Sequence, residues 1–435
     1  MKILLTTDTY ENQVCGVSSS IATLKCELIN QGHDVRVLLM SRNHKSKIIK
    51  DNYLIGSFSL PFIDFRQSFR YNDKVLDEII SWNPDIIHIQ TEWYAGSVGK
   101  KLAKKCNSPY INTSHTLWEE FTRGLIPIGI IRKFFSKNLI KSCYSNSSAI
   151  VVPSEKMIPF LKEIHITLPT HVIPTGVDIS NFNQDLSSFE KNKLKSQINI
   201  NENSKVLISI GRISKEKNLD ELIEFLPDLI LKNKDIVLII GGEGPYLKNL
   251  KNKVEKLNME HYVRFVGLIS PEDTYKYYNI ADIFVSASTC ETQGIAYMEA
   301  LASSIPLVCR YDESLDNVIE NGINGFTYTN KKEFINYIIK IFNMGGGYAQ
   351  LKNNALKSSL RFSKEKFGKD MEKVYLDYIN SVVLLGFLVV VVRFCLGFRF
   401  FLLFLLFLSY FYFFYFWVVE IRFFLLLVVV VVFLF

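Results

Sequence analysis

Short apolar runs alternate with helix-period segments along most of this chain, and that alternation limits the fold more than any single motif does. In the first half the runs are Lys2 to Thr6, Asp34 to Leu39, Asp85 to Ile89, Tyr110 to Thr113 and Ala149 to Val152. Lys205 to Ile210, Asp235 to Ile240, Tyr262 to Val266, Ile283 to Ala287 and Pro306 to Cys309 repeat the pattern in the second half. Strands that alternate with helices make parallel sheets covered on both faces, so the fold class is α/β with two doubly wound, Rossmann-like domains. A length of 435 residues fits two such domains, each able to bury a core. The seam falls at Ile173-Pro174-Thr175-Gly176-Val177-Asp178, where Pro and Gly punctuate the chain. This places the N-terminal domain at 1–173, a second domain at 174–362 and a closing helix at 363–381. Two sheets of this kind face each other across a cleft at the carboxyl ends of their strands, and the site is expected there, shared between halves.

Composition removes several function classes. The seven cysteines are scattered, with no C-x-x-C or His/Cys metal spacing, which argues against a disulfide scaffold or a zinc centre. No G-x-x-x-x-G-K-[ST] or G-x-G-x-x-G occurs, so ATPase and dinucleotide-redox chemistry lose their main support. Met1-Lys2 runs directly into apolar Ile3-Leu4-Leu5, which predicts a cytosolic start. Residues 1–180 carry 21 basic and 16 acidic side chains while residues 181–381 carry 26 of each, so an anionic partner is expected to meet the N-terminal half. Residues 382–435 differ from the rest: they contain no Lys, Asn, Asp, Gln, Thr or Pro. Phe400 to Val419 is uncharged and long enough to cross about 30 Å of hydrocarbon as a helix. That tail reads either as a membrane anchor or, because its residue usage departs so broadly, as a read-through extension.

The most informative segment is Glu291-Thr-Gln-Gly-Ile-Ala-Tyr-Met-Glu299, which follows a strand and opens a helix. Free amides around Gln293, Gly294 and Ile295 at a helix N-terminus suit a diphosphate. Glu291 and Glu299 would reach different depths along a ligand and accept hydrogen bonds from vicinal hydroxyls, as a sugar and a ribose present them. By themselves the two read better as a dipole-favoured helix start and a solvated face residue. Gly211-Arg212-Ile-Ser-Lys-Glu-Lys217-Asn218 also joins a strand to a helix. Arg212 supplies a planar donor fork and Lys217 a point charge, a pair able to neutralise a leaving diphosphate. Gly241-Gly-Glu-Gly-Pro245 forms a tight turn better explained by packing. In the first half, Gly16 either enters a helix in the ordinary way or lets backbone approach donor phosphates. His115, just beyond a strand, is expected to face the cleft. Without a D-x-D, no paired-carboxylate metal site is expected, and the leaving group is left to Arg212, Lys217 and helix amides.

Residues 128–144 form a predicted amphipathic helix whose basic face carries Arg132, Lys133, Lys137 and Lys141 beside Phe134 and Phe135. Such a face suits anionic lipid headgroups, although solvated lysines on a core-packed helix have the same pattern. Phe134 and Ile140 are expected to be exposed, which favours membrane contact.

Gly211-Arg212 with Lys217-Asn218, Glu291 with Glu299, Gly16-Val17 and His115 together resemble the GT4 family of retaining glycosyltransferases, which has the GT-B fold. More narrowly, Asp8-Thr-Tyr, Gln90-Thr-Glu92, His115-Thr-Leu-Trp-Glu-Glu120, Val152-Pro-Ser154 and Glu291-Thr-Gln-Gly are similar to the bacterial 1,2-diacylglycerol 3-glucosyltransferases. The resemblance covers residues 1 to about 380. It implies transfer from UDP-glucose or a similar nucleotide sugar to diacylglycerol or another lipid acceptor, with retention, with no essential metal or other cofactor and no nucleic acid. The place of action would be an anionic membrane surface on the cytoplasmic face. It implies that Arg212 and Lys217 hold the diphosphate, Glu299 the ribose and Glu291 the sugar hydroxyls. His115 would reach the sugar from the N-terminal side, making Glu291 and His115 the catalytic residues. The family's last helix, here about Ser363 to Asn380, crosses back to the N-terminal domain. This chain departs from the pattern at Ala302-Ser-Ser304-Ile-Pro306, where a glycine is usual before the x-Pro. A hexosyltransferase for a different lipid-linked acceptor and an inert membrane-surface binding protein are the alternatives.

Overall fold

The computed structural model describes residues 1–13, 15–59, 66–115, 137–138 and 140–397, with side chains to residue 381. Met1–Tyr375 forms one compact unit, and Leu376–Phe435 a second one. The first unit holds both sheets. Its N-terminal half contains β1 (Lys2–Tyr10), β2 (Asp34–Met40), β3 (Lys47–Ile49) and β4 (Asn52–Ile55), then the short antiparallel pair β5 (Phe58–Ser59) and β6 (Arg66–Gln67). β7 (Ile86–Ile89), β8 (Tyr110–Thr113), β9 (Ala149–Val152) and β10 (Thr170–Val172) follow. The first sheet runs β10-β9-β8-β7-β1-β2-β4-β3, parallel except for β3 against β4.

The second sheet is built from β11 (Lys205–Ile210), β12 (Ile236–Gly241), β13 (Val263–Gly267), β14 (Ile283–Ser286), β15 (Leu307–Arg310) and β16 (Gly325–Tyr328). Its order is β13-β12-β11-β14-β15-β16, parallel throughout. In both sheets the chain lays strands to one side of the first strand and then crosses to the other. The crossing points lie between β1 and β7 and between β11 and β14, where open parallel sheets leave a crevice. Gly16 follows β1, Arg212 and Lys217 follow β11 and Glu291 follows β14, while His115 follows β8, the strand beside β7.

Helices close both faces, which is why the central strands read as uninterrupted apolar runs. Leu4, Ile87 and Ile89 pack with Val75, Ile79, Val98 and Leu102 of the helices Lys74–Trp82 and Tyr94–Cys106. In the second sheet, Leu207, Leu238 and Val285 pack with Leu222 and Leu226 on one face, while Ile208 and Phe284 meet Met298 and Leu301 on the other. Each fully buried aliphatic side chain contributes about 1.5–3 kcal/mol.

The helix Lys364–Gly397 begins against the first half of the chain. Lys364 bonds Asp178 at 2.6 Å, and Glu372 meets His33 at 2.9 Å. Gly368 allows this approach, since a Cβ there would lie 2.7 Å from Glu27 Cβ. At the position where a glycine is usual, Ser304 takes φ 59°, the left-handed conformation a side chain disfavours. The turn is therefore kept, with strain in place of the glycine.

Some expectations shift in the structure. Strand β1 extends past Thr6 to Tyr10. Ile140, expected to be exposed, is fully buried against Tyr144, Met157 and Leu161. Helical periodicity shows that a face exists but not which neighbour covers it. Among the described residues no helix is long and apolar enough to cross a membrane. The Phe400 to Val419 stretch lies outside them, as do Arg132, Lys133, Phe134 and Phe135.

Candidate active site

After β11, Gly211 and Arg212 lead into a short 3-10 turn, Lys215–Lys217, and Asn218 at φ 51° starts the next helix. Asn218 Nδ2 bonds Glu221 at 3.0 Å, which fixes the turn. The Gly241-Gly-Glu-Gly loop serves packing: a Cβ on Gly242 would fall 1.9 Å from the Gly211 carbonyl oxygen. The two loops thus brace one another backbone to backbone, with Ile213 N donating to Glu243 O at 2.9 Å.

Lys217 Nζ lies 2.5 Å from Glu291 Oε1. Burial opposes charge on both partners, yet each offsets it for the other, so Glu291 sits below the usual carboxylate range and Lys217 above the usual amine range. They form an ion pair, and the ammonium keeps donors beyond the one Glu291 takes. Arg212 is exposed and forms no ion pair among the described residues. It follows β11, at the crossing point of the second sheet.

The helix Ile295–Ala302 starts at Gly294, whose φ of 77° turns the chain out of the Glu291 loop. Among the described residues the backbone N–H groups of Gln293, Gly294 and Ile295 have no acceptor. The Gln293 side chain is occupied: it accepts from Thr175 N at 2.8 Å and donates to Thr175 O at 3.1 Å. Only its backbone remains for a ligand. The N-terminus of the first helix, Gly16–Asn30, lies opposite, and a Cβ on Gly16 would stand 3.7 Å from Ile295 Cδ1. Two helix N-termini from different sheets therefore converge, and their partial positive charges add. Glu299 lies deeper, half-buried, and accepts from Tyr278 Oη at 3.1 Å. Burial lifts its carboxyl to about 7, against the pull of the tyrosine.

On the opposite wall the histidine is uncharged. His115 follows β8 and is lowered by burial to about 4, so it is neutral near pH 7. Its Nε2 meets Gln90 Oε1 at 2.7 Å. Asp8 accepts from Thr91 Oγ1 at 2.7 Å, Trp93 N at 3.1 Å and Ala95 N at 2.9 Å, which makes it the cap of the helix Tyr94–Cys106. Burial raises it to about 6 although those donors pull it down.

Contacts across the cleft join the walls. Thr292 Oγ1 donates to His115 O at 2.9 Å, and Ser154 Oγ donates to Thr292 O. Lys156 Nζ donates to Thr289 O at 3.1 Å and Glu291 O at 3.1 Å, and pairs with Asp312 at 2.6 Å. Lys156 thus clamps the Glu291 loop from the other half of the chain. Sequence reasoning missed it: Val152-Pro-Ser154 pointed to the segment, but nothing in its spacing marked the lysine. Away from the cleft, Lys137 pairs with Glu163 at 3.1 Å and Lys141 is exposed.

An anion held by converging amides, an exposed guanidinium and a shared ammonium, between a carboxylate and a neutral imidazole, is an arrangement suited to departure of a phosphate from a sugar carbon. The comparisons agree with that chemistry. Residues 14–181 match the family described as Glycosyltransferase Family 4, and residues 190–358 match Glycosyl transferases group 1. Over 386 residues the chain is 33% identical to the alpha-monoglucosyldiacylglycerol synthase of Streptococcus pneumoniae, covering 88% of this chain and 87% of that one. The Acholeplasma laidlawii protein of the same name is 28% identical over 398 residues, covering 88% and 98%. The structure of Anabaena HepE in complex with UDP-glucose superposes with a TM-score of 0.68 at 18% identity, covering 87% of this chain and all of that one. Sequence kinship along nearly the whole two-sheet body, together with the shared architecture, means that the chain belongs to the GT4-type glycosyltransferases of GT-B fold.

Proposed function

We propose that this glycosyltransferase moves glucose, with retention, from UDP-glucose to the 3-hydroxyl of diacylglycerol, giving α-monoglucosyldiacylglycerol on the cytoplasmic face of a membrane. The observation that carries the reading is the convergence of the two helix N-termini next to the Lys217–Glu291 pair. The acceptor is inferred from the relatives named as alpha-monoglucosyldiacylglycerol synthases. Arg212, Lys217 and the amides of Gln293, Gly294 and Ile295, with Gly16 opposite, take the diphosphate. Glu299 takes the ribose, Glu291 the sugar hydroxyls and His115 the sugar from the other wall. Neutral His115 is suited to hydrogen-bonding a hydroxyl without attracting the phosphate away from the cations. The departing phosphate oxygen accepts the acceptor's proton on the same face, and no metal is needed, because fixed cations and dipoles offset the developing charge. Exposed Lys141, with Arg132 and Lys133, supplies the attraction to anionic headgroups.

The test uses the purified full chain with radiolabelled UDP-glucose and vesicles containing diacylglycerol, with and without a chelator. The expected product is α-linked glucosyl-diacylglycerol at equal rates in both. Transfer to glucosyl-diacylglycerol but not to diacylglycerol would reassign the acceptor, and loss of turnover in chelator would overturn the metal-free step.

A further inference from the structure

Behind His115 lies a buried, uncharged hydrogen-bond network for which the transfer step has no use. His115 Nε2 meets Gln90 Oε1 at 2.7 Å, and Gln90 Nε2 donates to His88 Nδ1 at 2.9 Å. The hydroxyl of Tyr375 reaches the same Nδ1 at 2.7 Å, and His88 Nε2 meets Thr113 Oγ1 at 2.6 Å. Gln90, His88, Thr113 and Tyr375 are all buried, with Gln90 only 2% and Tyr375 0% exposed. Donor and acceptor roles follow from what each group can do. An amide NH2 only donates, so His88 Nδ1 is unprotonated, its one lone pair shared between the Gln90 amide and the Tyr375 hydroxyl, and the His88 proton sits on Nε2 toward Thr113. An amide oxygen only accepts, so His115 carries its proton on Nε2 and leaves Nδ1 unprotonated. Burial drives His88 down to about 3 and His115 to about 4, so neither ring brings a charge into the network near neutral pH. Tyr375 belongs to the helix that follows the second sheet, whereas Gln90 and His88 belong to β7 and its end.

We propose that Gln90 is a positioning residue that fixes the tautomer and ring orientation of His115, and that Tyr375 holds Gln90 and His88 in place from the C-terminal helix. The helix that closes the chain's two-sheet body thereby helps to build the N-terminal wall of the site. The inference rests on the reading of His115 as a donor-sugar contact, and its test separates the two.

The full chain, labelled with 15N-histidine, is examined by two-bond proton–nitrogen correlation, which reports each imidazole's tautomer without any substrate. Wild type is expected to show His115 as a single neutral Nε2–H tautomer, and Gln90→Met to show a mixture. In turnover, Gln90→Met is expected to lower kcat about tenfold while changing the donor KM less than about threefold. In a His115→Ala background the same substitution should cost less than about twofold, because its effect passes through the ring. Tyr375→Phe, which removes one oxygen and keeps the ring, provides a second variant in case Gln90→Met fails to fold. Its expected result is a smaller shift in the same spectrum and a loss of a few-fold in kcat. An unchanged His115 tautomer in both variants, or equal losses with and without His115, would overturn the proposal. A wild type inactive with UDP-glucose yet showing the expected spectra would sink the functional reading and leave the positioning role standing.

Discussion

The two walls of the cleft are made of different materials. The second-sheet wall is charged, with Lys217 and Glu291 paired and, among the described residues, Arg212 outside any ion pair and three helix-terminal amides unclaimed. The first-sheet wall presents a neutral network, with His115 and His88 stripped of charge by burial and linked through an amide. This runs against the formal charges, because the N-terminal half has the excess of basic residues and residues 181–381 are balanced. Net charge locates a partner only over Debye-length distances, while a diphosphate is held by the few donors that surround it. The contrast suggests a division of labour in which one wall binds the leaving group and the other orients hydroxyls.

Removing the charged wall's centre should do the most damage. Glu291→Ala is expected to lower kcat by about a thousandfold. It also leaves Lys217 partly buried without its partner, at a cost of about 3 kcal/mol in stability. Turnover assays paired with urea unfolding would separate the two effects, and near-normal turnover would dissolve the distinction between walls. Lys156→Met breaks the clamp that joins the walls and strands Asp312, whose side chain is 7% exposed. The expected result is about a tenfold loss of kcat and a destabilisation of about 3 kcal/mol.

What the sequence made legible divides along the same line. Strand ends were readable because each central run is apolar and bounded by turn residues, so Arg212, Lys217, Glu291 and His115 could be placed beside a cleft. Contacts between distant segments were not readable. Lys156 meets Asp312 across 156 positions and Tyr375 meets His88 across 287, and no periodicity encodes such pairs. The β5–β6 pair is too short, at two residues per strand, to carry an alternating pattern. Ile140 failed for a related reason: its helix has an apolar stripe, and only the tertiary fold decides that β9 and the helix Met157–Glu163 cover it.

Smaller effects sharpen the comparison. Glu299 is raised from 4.5 to about 7 in the fold, so the folded chain holds a proton that the unfolded chain has released between those values. Stability should therefore fall as pH rises from about 4.5 to 7, and Glu299→Gln should flatten that part of the profile in chemical denaturation. A slope unchanged by the substitution would show that Glu299 titrates normally. Ser304→Gly relieves the left-handed strain at φ 59° and should add about 1 kcal/mol or less with unchanged turnover. A destabilised variant would mean that the Ser304 side chain contributes more than its backbone costs.

The claim that the second-sheet wall grips the pyrophosphoryl group is tested most directly by calorimetric titration of UDP into wild type and Arg212→Ala. Arg212 is exposed and forms no ion pair among the described residues, so its removal should leave the fold intact. The account predicts saturable binding to wild type and at least about tenfold weaker binding to the variant, with unchanged thermal midpoints. Equal affinity in the two proteins, or no binding to wild type, would contradict it.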